Sequence, residues 1–382
     1  MSARSYTRRQ LMAKAPLPFE RQYLTFKVLS GGTITAVSVG SGINRTIQYS
    51  LNDGKWQSLT ISSTSQSLGT FNIDDEIRIK GNNSNYSTWL AAYCHFAGTA
   101  QTEVKGNIMS LVYGDNFMGK TVLTADFTFN SLFLGWTNLV CAEDLIMPAM
   151  TLRNRCYINL FKNCSSLRKT PKVLPATNLL TYCYSEMFSG CIKIVYPPII
   201  SAVNLNGDNC CHSMFYNCTA LREAPDLNAT KLSPSCYSNM FQSCTRLTSA
   251  PELPAMTLST NCYGNMFQSC TGLTTAPELP ATTLASSCYK YMFNGCSNLT
   301  TAPSVLPATT LVDSCYGYMF NGCKKINHIK AMFTTTPSTT YTQNWVNAVA
   351  SSGTFVKNSA AQWDVRGVHG IPNNWTVQTA DE

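Results

Sequence analysis

The sequence predicts a mainly β chain with short helices or turns. It reads as a solenoid of about eight coils, preceded by a small antiparallel β-sandwich and closed by a C-terminal cap. Three observations carry this. A phrase of 26 or 27 residues recurs seven times. Short alternating apolar runs separated by Gly-Gly or Asp-Gly precede it. Charged residues are 13% of the chain against 44% hydrophobic, which leaves ample material for a core and too little charge for a disordered chain.

Residues 1–22 form a basic arm. Arg4, Arg8, Arg9, Lys14 and Arg21 stand there against Glu20 alone, so about half of the net +8 sits in one short stretch. The rest is close to neutral and shows no basic stripe with base-reading residues, so no nucleic-acid partner is expected. The arm has a basic start but no continuous apolar core before "APLP", which makes it a poor secretory signal. Either an export signal has been removed, or the protein does not use the general secretory route. No run of 18 apolar residues exists, so no helical membrane span is expected.

Residues 23–105 read as the sandwich. "YLTFKVL" and "TITAVSV" flank Gly31-Gly32; "IQYSLN" and "KWQSLTI" flank Asp53-Gly54. Asp-Gly between alternating runs is a hairpin signal. "DEIRIKG" alternates Ile77 and Ile79 with charged neighbours. "KGNIMSLVYGDNF" then leads into the solenoid, residues 106–330.

The repeat follows C-Y-x-x-M-F-x-x-C. Copies start at Cys156, Cys183, Cys210, Cys236, Cys262, Cys288 and Cys315, and their second cysteines are Cys164, Cys191, Cys218, Cys244, Cys270, Cys296 and Cys323. Three positions later comes Leu167, Leu221, Leu247, Leu273 or Leu299, or else Ile194 or Ile326. A-P or T-P and then L-P-A-T-x-L follow. A degenerate first copy places Thr128, Phe129, Leu132, Phe133, Trp136 and Leu139 in the same register, as a capping coil should. Within each copy, "LTTAP" is a short strand with Leu273 and Ala276 inward. Apolar residues in steps of four across "TTLASSCYKYMFNG" suit a short helix or a tight turn. Residues 331–382 close the last coil: "TTYTQNWVNAVAS" reads as a short amphipathic helix, and "GTFVKN" and "NWTVQT" as strands.

Fourteen of the 17 cysteines belong to the repeats; Cys94, Cys141 and Cys211 do not. Four readings compete. Zinc needs other spacings, and the chain has only His95, His212, His328 and His369. An intra-repeat disulfide fails on a helix, where positions eight apart lie about 12 Å apart, although a sharp turn relaxes this. A nucleophile copied seven times makes little chemical sense, and the single Cys211-His212 pair reads as drift. The preferred reading is structural: two buried ladders of reduced thiols, small and weakly donating to turn carbonyls. No metal and no cofactor is expected.

At "MFNGCSNLTTAP" the pattern resembles the leucine-rich repeats of the Bacteroides surface-antigen type (BspA-like), with Met for the usual Ala and slightly longer units. The resemblance covers about residues 130–330. The flanks "GNIMSLVYGDNF" and "GTFVKN…GIPNNWTV" are similar to those of such proteins from gut Bacteroidetes and their phages. It implies a leucine-rich-repeat solenoid used for adhesion, host-surface contact or as a virion component, and no enzyme.

Residue chemistry agrees in giving no enzyme. Glu186, Asp208, Glu223, Asp226, Glu252, Glu278 and Asp313 are scattered, and "SGGT" and "GSG" lack a strand–loop–helix setting for phosphate. The candidate ligand-facing strip follows the core Leu of each coil: Arg168, Lys169, Arg222, Glu223, Thr248, Thr274 and Thr300, with Arg246 beside it. It suits a glycan or a flat protein partner; it also reads as an edge that only keeps the solenoid soluble. The Tyr after each first cysteine reads as a packing ladder, with a sugar-stacking ladder as the alternative. The expectation is a phage virion or appendage protein. Its arm and sandwich would meet other virion proteins, its solenoid a host surface glycan or protein, with homo-oligomerisation open. The alternative is a Bacteroidetes surface adhesin on the bacterial cell.

Overall fold

A computed structural model of the chain describes residues 18–40 and 43–380. Arg4, Arg8, Arg9 and Lys14 of the expected arm lie outside them. Arg21 ends a 3-10 turn, Pro18–Arg21, and is exposed.

Nine strands make the N-terminal sandwich: β1 (Leu24–Ser30), β2 (Gly32–Val39), β3 (Arg45–Leu51), β4 (Gln57–Ile61), β5 (Gln66–Phe71), β6 (Glu76–Gly81), β7 (Ser87–Trp89), β8 (Ala92–Gly98) and β9 (Gln101–Asn107). They form two antiparallel sheets, β9-β1-β6-β3-β4 and β5-β2-β8-β7. Strand alternation sends Phe26, Ile34, Ala36, Ile77, Ile79 and Phe96 into one core. The β3–β4 hairpin turns on Asn52 and Asp53, whose φ angles are 47° and 61°. Two left-handed residues suit the strand twist. The expected Asp-Gly pair is thus shifted by one: Gly54 receives the turn, its N–H donating to Leu51 O at 2.8 Å.

The sandwich is built onto the solenoid. Strand β9 pairs antiparallel with β1 on one side. On the other it pairs in parallel with β10 (Leu139–Cys141) and β11 (Leu145–Ile146), which belong to the first coil. Tyr86 N–H donates to Thr128 O and Phe96 N–H to Leu132 O, each at 2.8 Å. The degenerate first copy does sit in register: its Phe129 and Phe133 N–H groups bond to Cys156 O and Leu160 O. Trp136, in the second-cysteine position, meets Phe26 edge-on at 5.1 Å.

About eight coils stack behind it. The steps of four reflect consecutive tight turns, not a helix. A residue with φ between about 50° and 80° recurs every fourth position: Ser235, Asn239 and Ser243; Asn261, Asn265 and Ser269; Ser287, Tyr291 and Gly295. Asn and Gly tolerate this left-handed conformation best. N–H groups therefore alternate in direction. In the coil of Cys262, Tyr263, Asn265, Phe267 and Ser269 donate to the next coil, while Gly264, Met266, Gln268 and Cys270 donate to the carbonyl three residues back. The expected "LTTAP" strands shrink to single bridges such as Thr275–Thr301, although Leu273 and Ala276 do point inward. Only irregular coils keep two-residue strands: β12 (Val173–Leu174) with β14 (Ile199–Ile200), and β13 (Asn178–Leu179) with β15 (Asn204–Leu205).

The repeat residues form buried columns. The phenylalanines from Phe133 to Phe320 stack at 5.2–5.8 Å. At the C-terminal end, β16 (His328–Ala331), β17 (Thr354–Lys357) and β18 (Thr376–Thr379) make a parallel sheet. The expected amphipathic helix is one turn only, Thr339–Thr342, capped by the Ser338 side chain. Its C-terminal part turns instead, and buries Trp345 against Phe320, Phe333 and Phe355. Trp345, Trp363 and Trp375 each donate Nε1–H to a backbone carbonyl, so the column ends without orphaned donors.

Substituting Asn265 tests the turn rule. Asn265→Val is expected to lower stability by about 1–2 kcal/mol, the cost of a left-handed residue with a branched side chain, whereas Asn265→Gly stays near wild type. Urea unfolding midpoints of the two variants measure this.

Candidate functional site

The thiols come first, because a repeated cysteine invites a catalytic reading. All 17 cysteines are free, and 16 are buried. Each second cysteine donates to the carbonyl of the phenylalanine in the preceding coil. Cys164, Cys191, Cys218, Cys244, Cys270, Cys296 and Cys323 bond to Phe133, Phe161, Phe188, Phe215, Phe241, Phe267 and Phe293 at 2.9–3.1 Å. Phe241 O also accepts Cys244 N–H at 3.0 Å, so one carbonyl serves two coils. The thiol is thus a structural donor. Burial pushes Cys94 and Cys315 up to about 11, and Cys262 and Cys296 up to about 12. A nucleophilic cysteine needs the opposite shift.

Cys211 packs in the tyrosine column, while His212 pairs through Nε2 with Ser213 Oγ at 3.1 Å. Burial lowers the His212 pKa. Among the described residues, no cluster of three His, Cys, Asp or Glu could hold a metal ion, and no helix is long and apolar enough to cross a membrane.

The tyrosine column does not offer sugar-stacking faces. Tyr157, Tyr184, Tyr263, Tyr289 and Tyr316 are fully buried, and Tyr237, Tyr263, Tyr289 and Tyr316 stack on one another at 5.8–6.0 Å. The packing alternative is the one realised. Two tyrosines that do reach the surface were not singled out by the repeat: Tyr291 and Tyr318, half-buried on adjacent coils at left-handed corners, with rings 4.5 Å apart.

The candidate strip is on the outside. Arg168, Lys169, Arg222, Arg246, Thr248, Thr274 and Thr300 are exposed, and Glu223 is half-buried. The backbone ladder sets them in rows. Arg168 N–H donates to Val140 O, Arg222 to Val195 O, Thr248 to Arg222 O and Thr300 to Thr274 O. The row behind holds the bridges Cys141–Lys169, Glu223–Ser249 and Thr275–Thr301. Arg246 lies apart, on the turn before its core Leu247.

The strip is chemically uneven. Lys169 pairs with Glu143 at 2.5 Å, which raises its pKa, and Lys172 pairs with Asp144 at 2.6 Å. Thr248 Oγ1 and Thr300 Oγ1 donate to the carbonyls of Arg222 and Thr274, at 3.3 and 3.0 Å. These hydroxyls spend their protons on the scaffold and present acceptors to solvent. Beside them lies an open groove of about 540 Å³. Its walls are Ala250, Pro251, Pro254, Ala276, Pro277 and Pro280, with Glu252 and Glu278 on the rim. Glu278 is held by the Ser304 N–H and hydroxyl of the next coil. The A-P and L-P pairs of two adjacent coils make this wall, a signal the sequence carries but only stacking makes into a groove.

These features define a class: a β-solenoid with a sandwich at one end, an inert thiol core and a variable outer ladder. Against protein-family models, curated proteins and solved structures, nothing matches the chain.

The buried thiols and phenols predict alkaline lability. Unfolded cysteines release their protons near 9.0, whereas the folded ones hold them to about 11–12. Above pH 9 the unfolded state therefore binds fewer protons, and each such group removes up to about 1.4 kcal/mol of stability per pH unit. The contribution is complete below pH 9 and is lost as pH rises through the folded values. Urea midpoints from pH 7 to 11 should hold level and then fall with a slope of several protons. A slope of one proton or less would contradict the buried columns.

Proposed function

We propose that the protein is a non-enzymatic attachment scaffold on a phage particle. The sandwich end meets other virion proteins and the solenoid ladder meets the host surface. The observation that supports this most is the contrast between fixed and variable positions. Cys, Phe and Leu repeat in every regular coil, whereas the ladder changes from Arg-Lys to Thr-Thr along the same backbone. A scaffold that varies most on an exposed, extended face is built for contact rather than for chemistry.

The thiols bear on where it is made. Seventeen unpaired cysteines suit folding in a reducing cytoplasm before display outside. The resemblance to surface-antigen repeats supports the attachment half of the reading. The two ends differ in a way that suits docking by the N-terminal one. There the sandwich leaves Trp89 63% and Leu90 47% exposed, whereas the C-terminal cap buries its three tryptophans.

Two measurements test this. Particles carrying a protein without residues 1–22 should show reduced occupancy; full occupancy removes the arm from assembly. Particles lacking residues 106–382 should lose adsorption to host cells while retaining their heads and tails. Unchanged adsorption would refute the attachment role.

A further inference from the structure

The ladder is not uniformly charged, and its charge is confined to neighbouring coils. The residues that follow Leu167, Ile194 and Leu221 are Arg168, Val195 and Arg222, and the next row reads Lys169, Tyr196 and Glu223. Tyr196 is 60% exposed, the most open tyrosine among the exposed large side chains. Its row neighbour Lys169 is neutralised by Glu143. Arg168, Lys193, Arg222 and Arg246 are exposed, and among the described residues none of the four is in an ion pair. Farther along, the same two rows hold only Thr and Ser: Thr248-Ser249, Thr274-Thr275 and Thr300-Thr301.

Resting on the attachment reading above, we propose that this end of the ladder binds an acidic polysaccharide, with Tyr196 stacking on a sugar ring and Arg168 and Arg222 holding carboxylates on either side. Three features select this ligand. The coils run in register, so an extended polymer lying across them meets the same backbone period at each step. Arg168 and Arg222 are two coil rises apart, about 10 Å, so the site wants sparse charge, about one acid per two sugar rings. A nucleic acid brings a phosphate on every sugar, and the two rows offer no further cations for that density, since Lys169 is paired and the rows beyond hold Thr and Ser. An exposed ring on the coil between those of two exposed arginines offers both a CH-stacking face and bidentate carboxylate donors. The neutral Thr rows then continue the track for uncharged sugars.

Biolayer interferometry of the full chain tests this with three probes: hyaluronate, which carries one carboxylate per two sugar rings, the same polymer fully methyl-esterified, and oligo-dT. Wild type should bind hyaluronate, and more weakly as salt rises. The methyl ester and oligo-dT should bind far less. R168Q/R222Q should weaken hyaluronate binding by about tenfold or more. Tyr196→Ala should weaken it severalfold, and Tyr196→Phe should restore it. All these positions are on the surface, so thermal unfolding of the variants should match wild type within experimental spread. Three outcomes overturn the proposal: equal binding of the methyl ester, oligo-dT binding as tightly through the same arginines, or wild-type affinity in R168Q/R222Q. Absence of binding to every polymer also overturns it. The attachment reading then stands or falls separately, on adsorption of particles lacking the solenoid.

Discussion

The structure depends on where backbone N–H groups are sent. A left-handed residue every fourth position folds each C-Y-x-x-M-F-x-x-C phrase into consecutive turns. Half of its donors then close those turns and half cross to the next coil. A helix would keep all of them inside one coil, and a strand would send them all outward. The mixture gives the coil a rigid local shape and also makes it incomplete alone. Buried N–H and C=O groups must be paired, so every coil needs a neighbour. Stacking is therefore enforced by hydrogen bonding before any side chain is considered.

The side-chain columns follow from that. Turns fixed in register put Phe over Phe, Tyr over Tyr and Cys over Cys. A column position tolerates only what packs on copies of itself. Phenylalanine does so as an offset stack. The second cysteine does so because its thiol has a use: the phenylalanine carbonyl behind it has a second lone pair, which the turn hydrogen bond leaves open. Alanine would leave that acceptor half-used and a small void besides. Serine would keep the donor but carry a more polar group into a fully buried column. The thiol sits between these, and that explains seven copies without metal, disulfide or catalysis.

Much of this was legible in the sequence, and the gaps have identifiable physical causes. The coil count, the degenerate first coil and the thiol ladder followed from the repeat, because column residues report their own stacking. The turn geometry did not. A four-residue period is close enough to 3.6 that apolar spacing alone left helix and turn unresolved. The deciding signal is the Asn, Ser or Gly at positions such as Asn261, Asn265 and Ser269, which mark left-handed corners. Five of the nine sandwich strands, β1 to β4 and β6, are legible as alternating runs, whereas β5, β7, β8 and β9 are not, and the hairpin turn lies one residue before Asp53-Gly54, since Asn52-Asp53 and Asp53-Gly54 are both good turn pairs. The Thr strip was found, yet the inward donation of Thr248 and Thr300 was not, because it needs the carbonyl of the coil before. Tyr196 was missed for another reason. It lies in the coil whose "CIKIVYPPII" departs most from the template, and repeat alignment discounts what does not repeat.

That last point bears on how such a chain acquires function. Columns restrict change, since a new residue must fit two neighbours as well as its own coil. The outer rows have no such restriction: Arg168, Tyr196, Arg222 and Thr248 share a backbone and little else. The coils of Cys156 and Cys183, next to one another, also keep real two-residue strands in place of single bridges. Specificity in this fold is then expected where the repeat is least faithful, in the coils that follow the one joined to the sandwich, and the regular coils beyond them extend the same ladder.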